Sequence, residues 1–186
     1  MRITQNCVDL IKHFETLELE AYPDPGSVLG RECARRRLRM RDYRKVPNWQ
    51  QLTGSPWTYG YGHTKGVRQG DRITAQQAEQ ILEDDLYEFE RDVESLLNPG
   101  MQATQGEFDA LVSFAFNVGP DIDADTIPEG LGDSTLLKLF NAGEKMLAAE
   151  EFMKWVKSKS KVLEGLKRRR RAERALFLGA DWRAAL

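Results

Sequence analysis

Two carboxylates near the amino terminus lie in contrasting sequence surroundings. Glu15 follows Phe14 at the end of a stretch whose apolar residues recur at helical spacing, and Asp24 lies nine positions later in the turn-forming segment AYPDPGS. Because Pro25 follows Asp24, we expect extended or turn backbone at Asp24. A carboxyl group on a half-buried turn suits proton donation, and a carboxylate in an open polar turn suits activation of water, as glycoside hydrolysis requires. The spacing alone does not distinguish this pair from two ordinary surface carboxylates.

The segment WTYGYGHT, residues 57–64, is predicted to form a strand with an almost bare face. Alternation places Thr58, Gly60 and Gly62 on one side and the aromatic residues with His63 on the other. Glycine inside a strand commonly marks a place where a ligand or another backbone comes close. We therefore expect a ligand beside Thr58. The structural alternative is a plain strand threonine, with the glycines in contact with the first helix.

Most of the chain is predicted to be helical. A first amphipathic helix is expected to hold Glu15 in its last turn, and helix-start signals occur at Thr74 with Gln77 and at Thr104 with Glu107. The segment after Thr104 is the most apolar and is the candidate centre of the core. The remaining segments are predicted as an Arg-rich, weakly patterned stretch over 26–55 and as helices that start at Ser134 and cover 150–156 and 163–178.

Composition limits the possible class of protein. The 186 residues are 41% hydrophobic and 30% charged, as in a soluble globular domain. The sequence has no apolar run long enough for a membrane span and no signal-peptide pattern at its start, so we expect it to begin in the cytoplasm without an anchor. Cys7 and Cys33 are expected to be reduced thiols, Cys7 in the core. Clustered metal ligands and nucleotide-binding motifs are missing from the sequence, which predicts neither a metal nor a cofactor.

Charge is unevenly distributed although the net charge is only −2. Residues 71–100 carry nine acids against two bases, whereas residues 154–174 carry ten bases against two acids. We expect solvated faces or helix pairs of opposite charge, with attraction to a polyanion as the alternative. In the last helix the arginines are predicted to be solvated or paired with the acidic helix, while these residues face the core: Leu163, Leu166, Ala172, Leu176 and Phe177.

The combination of a helix ending in Glu15, the turn at Asp24 and WTYGYGHT resembles the phage-type lysozymes, the endolysins of glycoside hydrolase family 24. Later blocks also resemble that family, in the family's order: ALVSFAFNVG, STLLKLFNAG, EFMKW and LEGLKRRRRAERALF. The resemblance implies an α+β, mostly α-helical lysozyme-like fold, with a small β-sheet lobe, a larger helical lobe and an active-site cleft between them. It implies one catalytic domain over 1–186, composed of a helix over 1–16, a β lobe with an inserted loop over about 17–73, and a helical lobe over about 74–186.

The resemblance also implies an activity. The chain would be a muramidase that hydrolyses the β-1,4 bond between N-acetylmuramic acid and N-acetylglucosamine in peptidoglycan, with Glu15 as general acid, Asp24 as base and Thr58 holding the attacking water. We expect inversion, and we expect Arg169 to orient Glu15. Substrate contacts are predicted for Gly60, Gly62, His63, Asn117 and Arg169.

The same resemblance implies how such an enzyme would work in the cell. We expect a monomer that stays in the host cytoplasm until the membrane is permeabilised and then degrades the periplasmic wall at phage release, without stable membrane insertion. Alternatives are a lytic transglycosylase, which would cut the same bond without Asp24 or Thr58, and a non-catalytic wall-binding protein. A nucleic-acid binder is suggested only by the arginine runs, and no recognised motif accompanies them.

The chief departure from the family lies between Asp24 and Thr58. Thirty-three residues separate them, whereas about five do in compact members, and long surface insertions cost little stability. We expect residues 27–55 to form a lid that contacts the peptide stems of the wall, whose carboxylates would attract the arginines at 35–37. The Asp-rich loop over 121–130 also looks expanded, and its role stays open.

Overall fold

The computed structural model of the chain describes residues 1–123, 129–158 and 161–186. These residues form an α+β structure that is mostly helical, which confirms the predicted fold class. The α-helices are α1 (Gln5–Phe14), α2 (Val28–Arg35), α3 (Ala75–Leu96), α4 (Gln105–Val118), α5 (Thr135–Asn141), α6 (Lys145–Glu151) and α7 (Glu164–Phe177). The strands are β1 (Glu18–Pro23), β2 (Trp57–Gly60), β3 (Lys157–Ser158) and β4 (Lys161–Val162), and short 3₁₀ helices cover Met40–Lys45, Trp49–Gln51, Phe152–Lys154 and Trp182–Ala185.

The described residues fall into two compact units. The smaller unit is Glu15–Asp85, and the larger unit combines Met1–Phe14 with Leu86–Leu186. The predicted single catalytic domain over 1–186 stays a prediction. No helix in the described ranges combines the length and the apolar composition needed to span a bilayer.

The core of the smaller unit includes the segment that was predicted to be a weakly patterned loop. Residues 27–55 contain α2 and two 3₁₀ helices, and Ser27 caps α2 by accepting a hydrogen bond from the Gly30 amide at 2.9 Å. The prediction failed because the segment has few apolar residues, and these are scattered among many arginines without a helical or strand period. In the folded chain those few apolar residues nevertheless pack into one cluster. The buried cluster consists of Ala21, Leu29, Cys33, Tyr43, Val46 and Trp57.

The core of the larger unit is built around α4, as predicted. Every residue of α4 from Glu107 to Ala115 is buried. Thr104 and Glu107 form the expected capping box, and Lys145 Nζ lies 2.8 Å from a carboxylate oxygen of Glu107. The apolar helix therefore has a satisfied amino terminus although it is buried nearly all round. It ends at Gly119, whose φ of 99° suits glycine.

The other helix boundaries follow the predictions where a cap exists. Thr74 and Gln77 bond reciprocally at 2.8 and 3.1 Å ahead of α3, and Ser134 caps α5. The helix predicted over 150–156 begins instead at Lys145 and ends as a 3₁₀ turn; its cap residue, Glu144, makes no side-chain cap bond and gives no start signal. The antiparallel pairing of β3 with β4 and the last 3₁₀ helix were not predicted.

Both thiols are buried and unbridged, which confirms the predicted reduced state and the core position of Cys7. At the base of the 121–130 loop, the Asp121 carboxylate accepts hydrogen bonds from the amides of Gly130 and Asp133 at 3.1 and 3.3 Å. Residues 124–128 of that loop lie outside the described residues.

Candidate active site

Residues 27–55, the long excursion between Asp24 and Thr58, start and end near neighbouring points of one antiparallel ladder. Strand β1 pairs with β2 so that Tyr22 lies opposite Thr58 and Pro23 opposite Trp57. The Asp24 amide then donates to the carbonyls of Gly54 and Pro56, both at 3.0 Å. Thr58 therefore lies beside the end of β1, and Asp24 is the residue that follows that strand, although Asp24 and Thr58 are far apart along the chain.

The turn that follows β1 orients Asp24. Its carboxylate accepts a hydrogen bond from the Gly26 amide at 2.6 Å, and its carbonyl accepts from the Ser27 amide and hydroxyl at 3.0 and 2.7 Å. This confirms the predicted turn conformation. A Cβ at Gly30 would lie 2.0 Å from the Asp24 carbonyl oxygen, so α2 packs against this turn only because position 30 is glycine.

Tyr22 links the three residues predicted to be catalytic. A side-chain hydrogen bond joins Tyr22 to Thr58, which is 9% exposed. Burial raises the pKa of the Tyr22 phenol, and the negative charges of Glu15, Glu18 and, most weakly, Asp24 raise it further, whereas the hydrogen bond to Thr58 lowers it. The pKa of the Tyr22 phenol thus responds to the charges of both Glu15 and Asp24, and the phenol is hydrogen bonded to the Thr58 side chain.

Sequence reasoning missed Tyr22. The sequence pattern that could have indicated Tyr22 is its spacing: in extended backbone, a residue two positions before Asp24 lies on the same face as Asp24. The segment that contains Tyr22, ELEAYP, has a glutamate at every second position in its first half and was not recognised as a strand.

Glu15 differs from its predicted position by one residue. Helix α1 ends at Phe14, so Glu15 follows the helix instead of lying in its last turn, and it is the first residue of the smaller unit. The backbone leaves helical geometry here because β1 begins three residues later, at Glu18. Glu15 is half-buried, as expected for a carboxyl group beside an apolar helix end.

The predicted eight-residue strand over 57–64 is wrong beyond Gly60. The chain turns back there, since the amide of Tyr59 donates to the His63 carbonyl at 3.1 Å and the amide of His63 donates to the Tyr59 carbonyl at 3.0 Å. Gly60 and Gly62 have φ values of 62° and 106°. Turn geometry, not a bare strand face, requires these glycines, because side chains rarely tolerate such angles. Their predicted substrate contacts stay predictions.

His63 is held by protein groups through both ring nitrogens. Nδ1 lies 2.9 Å from the Asp85 carboxylate, Nε2 lies 2.9 Å from the Lys65 carbonyl oxygen, and the ring stacks on Tyr59. These contacts are those of a structural histidine. Its predicted substrate contact stays a prediction.

The arginines of the last helix were predicted to be solvated or paired with the acidic helix; Arg168 and Arg171 are exposed as predicted, but a buried charge network in the larger unit contradicts the prediction for Arg169 and Arg170. Arg170 is 0% exposed and lies 2.9 Å from Glu173, while Arg169 Nε donates to Glu173 at 3.0 Å. Ser113 donates to the same glutamate at 3.0 Å, and Arg170 donates to the Asn117 side chain. Burial lowers the pKa of the Arg170 guanidinium, and the charge of Glu173 opposes that effect.

The network forms because the helical period places Arg169, Arg170 and Glu173 on the face that also carries Ala172 and Leu176. Leu163, predicted to face the core, is 44% exposed because it precedes the first turn of α7. The proposed orientation of Glu15 by Arg169 and the substrate contact of Asn117 stay predictions.

A pair of carboxyl groups is what glycoside hydrolysis uses, and the smaller unit carries Glu15 and Asp24 with the β1–β2 ladder that holds Thr58. The family model described as phage lysozyme matches residues 36–173, and the chain belongs to the phage lysozyme family. That matched region begins after Glu15 and Asp24.

Relatives and solved structures extend the likeness to nearly the whole chain. The endolysin of Bacillus phage B103 is 40% identical over 97% of this chain and 56% of its own length. The endolysin of Acyrthosiphon pisum secondary endosymbiont phage 1 is 37% identical over 97% of this chain and 100% of its own. The muramidase domain of SpmX from Asticaccaulis excentricus superposes with a TM-score of 0.70 and 31% identity, covering 96% of this chain and 98% of that one. The chain spans little more than half the length of some curated relatives that it matches.

Proposed function

We propose that the chain is a muramidase that hydrolyses the β-1,4 bond between N-acetylmuramic acid and N-acetylglucosamine, and so lyses the host wall at phage release. The observation that carries the proposal is the β1–β2 pairing, which sets Thr58 opposite Tyr22 and next to the turn at Asp24. The charges of Glu15 and Asp24 both raise the pKa of the Tyr22 phenol. Membership of the phage lysozyme family and the endolysin relatives support the same activity.

The proposed reaction is a single displacement. Glu15 donates a proton to the leaving glycosidic oxygen, while Asp24 takes a proton from a water molecule that attacks the anomeric carbon from the opposite face. The Thr58 hydroxyl holds that water, and the bond to Tyr22 restricts its rotation. The product has inverted configuration, which requires the carboxyl groups to be about 6.5 to 9.5 Å apart. The family's chemistry requires no cofactor.

We propose that the enzyme works as a monomer on the periplasmic wall, which it reaches from the host cytoplasm once the membrane is permeabilised. The proposal involves neither stable insertion in the membrane nor binding to nucleic acid. The endolysin relatives support action on the bacterial wall.

The direct test is loss of turbidity of permeabilised Gram-negative cells. Glu15→Gln removes the donated proton and Asp24→Asn removes the base, and each is expected to slow lysis by about 100-fold or more at unchanged thermal stability. Glu32→Gln is the matched control, since Glu32 is an α2 carboxylate paired with Arg35, and its lysis rate is expected to equal that of wild type.

Product analysis separates the proposed hydrolysis from neighbouring mechanisms. Proton NMR of the first product is expected to show the inverted anomer, and mass spectrometry is expected to show added water. An anhydro sugar together with full activity of Asp24→Asn identifies a transglycosylase instead. A retained anomer contradicts the roles given to Asp24 and Thr58.

A further inference from the structure

The excursion after Asp24 is fastened along strand β1 by charge and by packing. Arg41 Nη1 lies 3.4 Å from the Glu18 carboxylate, and Arg44 forms an ion pair with Glu20. Between these arginines, Tyr43 is buried and its ring meets that of Trp57 edge-on at 5.1 Å. The 3₁₀ segment is thus held against the strand that leads from Glu15 towards Asp24, and it does not form a free lid.

This fastening creates a cleft of about 360 Å³ within the smaller unit. Its floor includes Tyr22, which bonds Thr58, and its lining begins at Thr16, the residue after Glu15. The volume lies within the range of small-ligand sites, about 300 to 1,000 Å³. The full lining is Thr16, Glu18, Tyr22, Arg39, Met40 and Arg41.

The charges of the cleft leave one cation uncommitted. Arg41 is paired with Glu18, whereas Arg39 forms no ion pair within the described part of the chain. The nearest acid after Arg39 in sequence, Asp42, is bonded to Lys45 at 2.8 Å, and that bond lowers the pKa of Asp42 most, whereas the charge of Arg39 contributes only weakly to that lowering. The lining therefore carries an excess positive charge at Arg39, next to the apolar surfaces of Met40 and Tyr22.

Such a lining fits a short acidic peptide better than a sugar. A guanidinium binds a carboxylate with two parallel hydrogen bonds, whereas a neutral sugar offers no charge to pair with it. The thioether of Met40 and the ring of Tyr22 suit small aliphatic groups beside that carboxylate. None of the arginines at 35–37, which were expected to make this contact, lines the cleft, and Arg35 and Arg36 are both paired with Glu32.

We propose that this cleft binds a carboxylate of the peptide stem that muramic acid carries, with Arg39 as the anchoring residue. The inference rests on the proposed muramidase function and names a substrate feature that the function alone does not require. The excursion then selects peptide-bearing strands and holds them beside Glu15, Asp24 and Thr58.

The test compares two forms of one substrate. Purified peptidoglycan is used intact, or after an amidase has removed the stems and left the lactyl carboxylate on muramic acid. Rates of reducing-end release are measured at low substrate concentration for wild type, Arg39→Ala, Arg39→Lys and Arg68→Ala. Arg68 is the matched control: it is an exposed arginine of the same unit that does not line the cleft.

Arg39→Ala is expected to lower kcat/KM about five- to tenfold on intact peptidoglycan and to leave the rate on stripped glycan within about twofold of wild type. Arg39→Lys is expected to lie in between, since it keeps the charge but loses the paired donors. Arg68→Ala is expected to match wild type on both substrates.

An equal loss for Arg39→Ala on both substrates overturns the stem assignment, because the contact would then be to a feature that both substrates share, the glycan itself. Equal effects of Arg39→Ala and Arg68→Ala also overturn it, because they would reflect net charge alone. A wild-type protein inactive on both substrates contradicts the muramidase proposal itself, so the two failures are distinguishable.

Discussion

Strand pairing positions Thr58, and a hydrogen bond to Tyr22 orients its side chain. The two residues lie opposite each other in the β1–β2 ladder, and their side chains are hydrogen bonded. A threonine on an isolated strand would rotate among its rotamers, whereas a bonded one holds its hydroxyl in one direction. At the residue scale, the proposed role of Thr58 thus depends on Tyr22, which would position its hydroxyl.

A glycine substitution tests why the turn after β2 needs Gly62. Its φ is 106°, and a Cβ there would meet no heavy atom within 4 Å, so Gly62→Ala is expected to lower the free energy of unfolding by about 1 to 2 kcal/mol through backbone strain alone. Gly165→Ala is the control: position 165 is equally open but helical, and the change is expected to stabilise by up to about 1 kcal/mol. Urea unfolding measures both, and unchanged stability of Gly62→Ala contradicts the turn explanation.

At the scale of elements, the excursion is a structural part of the smaller unit. Helix α2 buries Leu29 and Cys33, and the 3₁₀ segment buries Tyr43 in the same cluster as Trp57 of β2. A segment that shares a core with strand β2 cannot be removed without exposing that core. This is why we assign the proposed stem contact to a firmly packed segment.

Paired substitutions on α2 test this packing. Leu29→Ala is expected to lower the free energy of unfolding by about 2 to 5 kcal/mol, because Leu29 is 0% exposed and its loss leaves a cavity. Val28→Ala removes apolar atoms from the neighbouring position, which is 40% exposed, and is expected to change stability by no more than about 0.5 kcal/mol. The two melting curves are compared by circular dichroism; equal small effects would mean that the excursion is not part of the core.

At the scale of the whole molecule, each compact unit buries one thiol. Cys7 lies in the larger unit, where its sulfur donates to the Asp109 carbonyl at 3.2 Å, and Cys33 lies in the smaller one. Burial raises the pKa of the Cys7 thiol well above its ordinary value, with Asp109 next in effect, and burial also raises the pKa of Cys33. Both thiols therefore stay protonated in the folded chain at a pH where the unfolded chain releases those protons.

This difference predicts an alkaline loss of stability. Because the folded pKa values are raised, the unfolded state binds fewer protons above about pH 9, and the free energy of unfolding falls as pH rises beyond that point. Urea unfolding of wild type is expected to show lower stability at pH 10 than at pH 8. The Cys7→Ala, Cys33→Ala double variant is expected to lose less over the same interval, and an identical decline in both proteins contradicts the assignment to the thiols.

Local signals in the sequence were enough to predict the helices that begin with a side-chain cap at Thr74, Thr104 and Ser134, and the turn at Asp24. The capping pairs at Thr74 and Thr104 start helices where expected, and Asp24 lies in the turn that Pro25 requires. Such features depend on residues a few positions apart, so their physics is contained in short segments. The family resemblance to phage lysozymes was likewise present in ordered blocks of sequence and is confirmed.

The tertiary structure alone decided which distant residues meet. The contact of Tyr22 with Thr58, the packing of Tyr43 on Trp57 and the pairing of Arg170 with Asn117 all join residues more than ten positions apart. Neither composition nor periodicity specifies such contacts, because an arginine or a tyrosine suits the surface as well as a satisfied interior. These contacts form only in the folded chain, because the native packing is the one in which buried polar groups have hydrogen-bond partners and apolar side chains fill the remaining space.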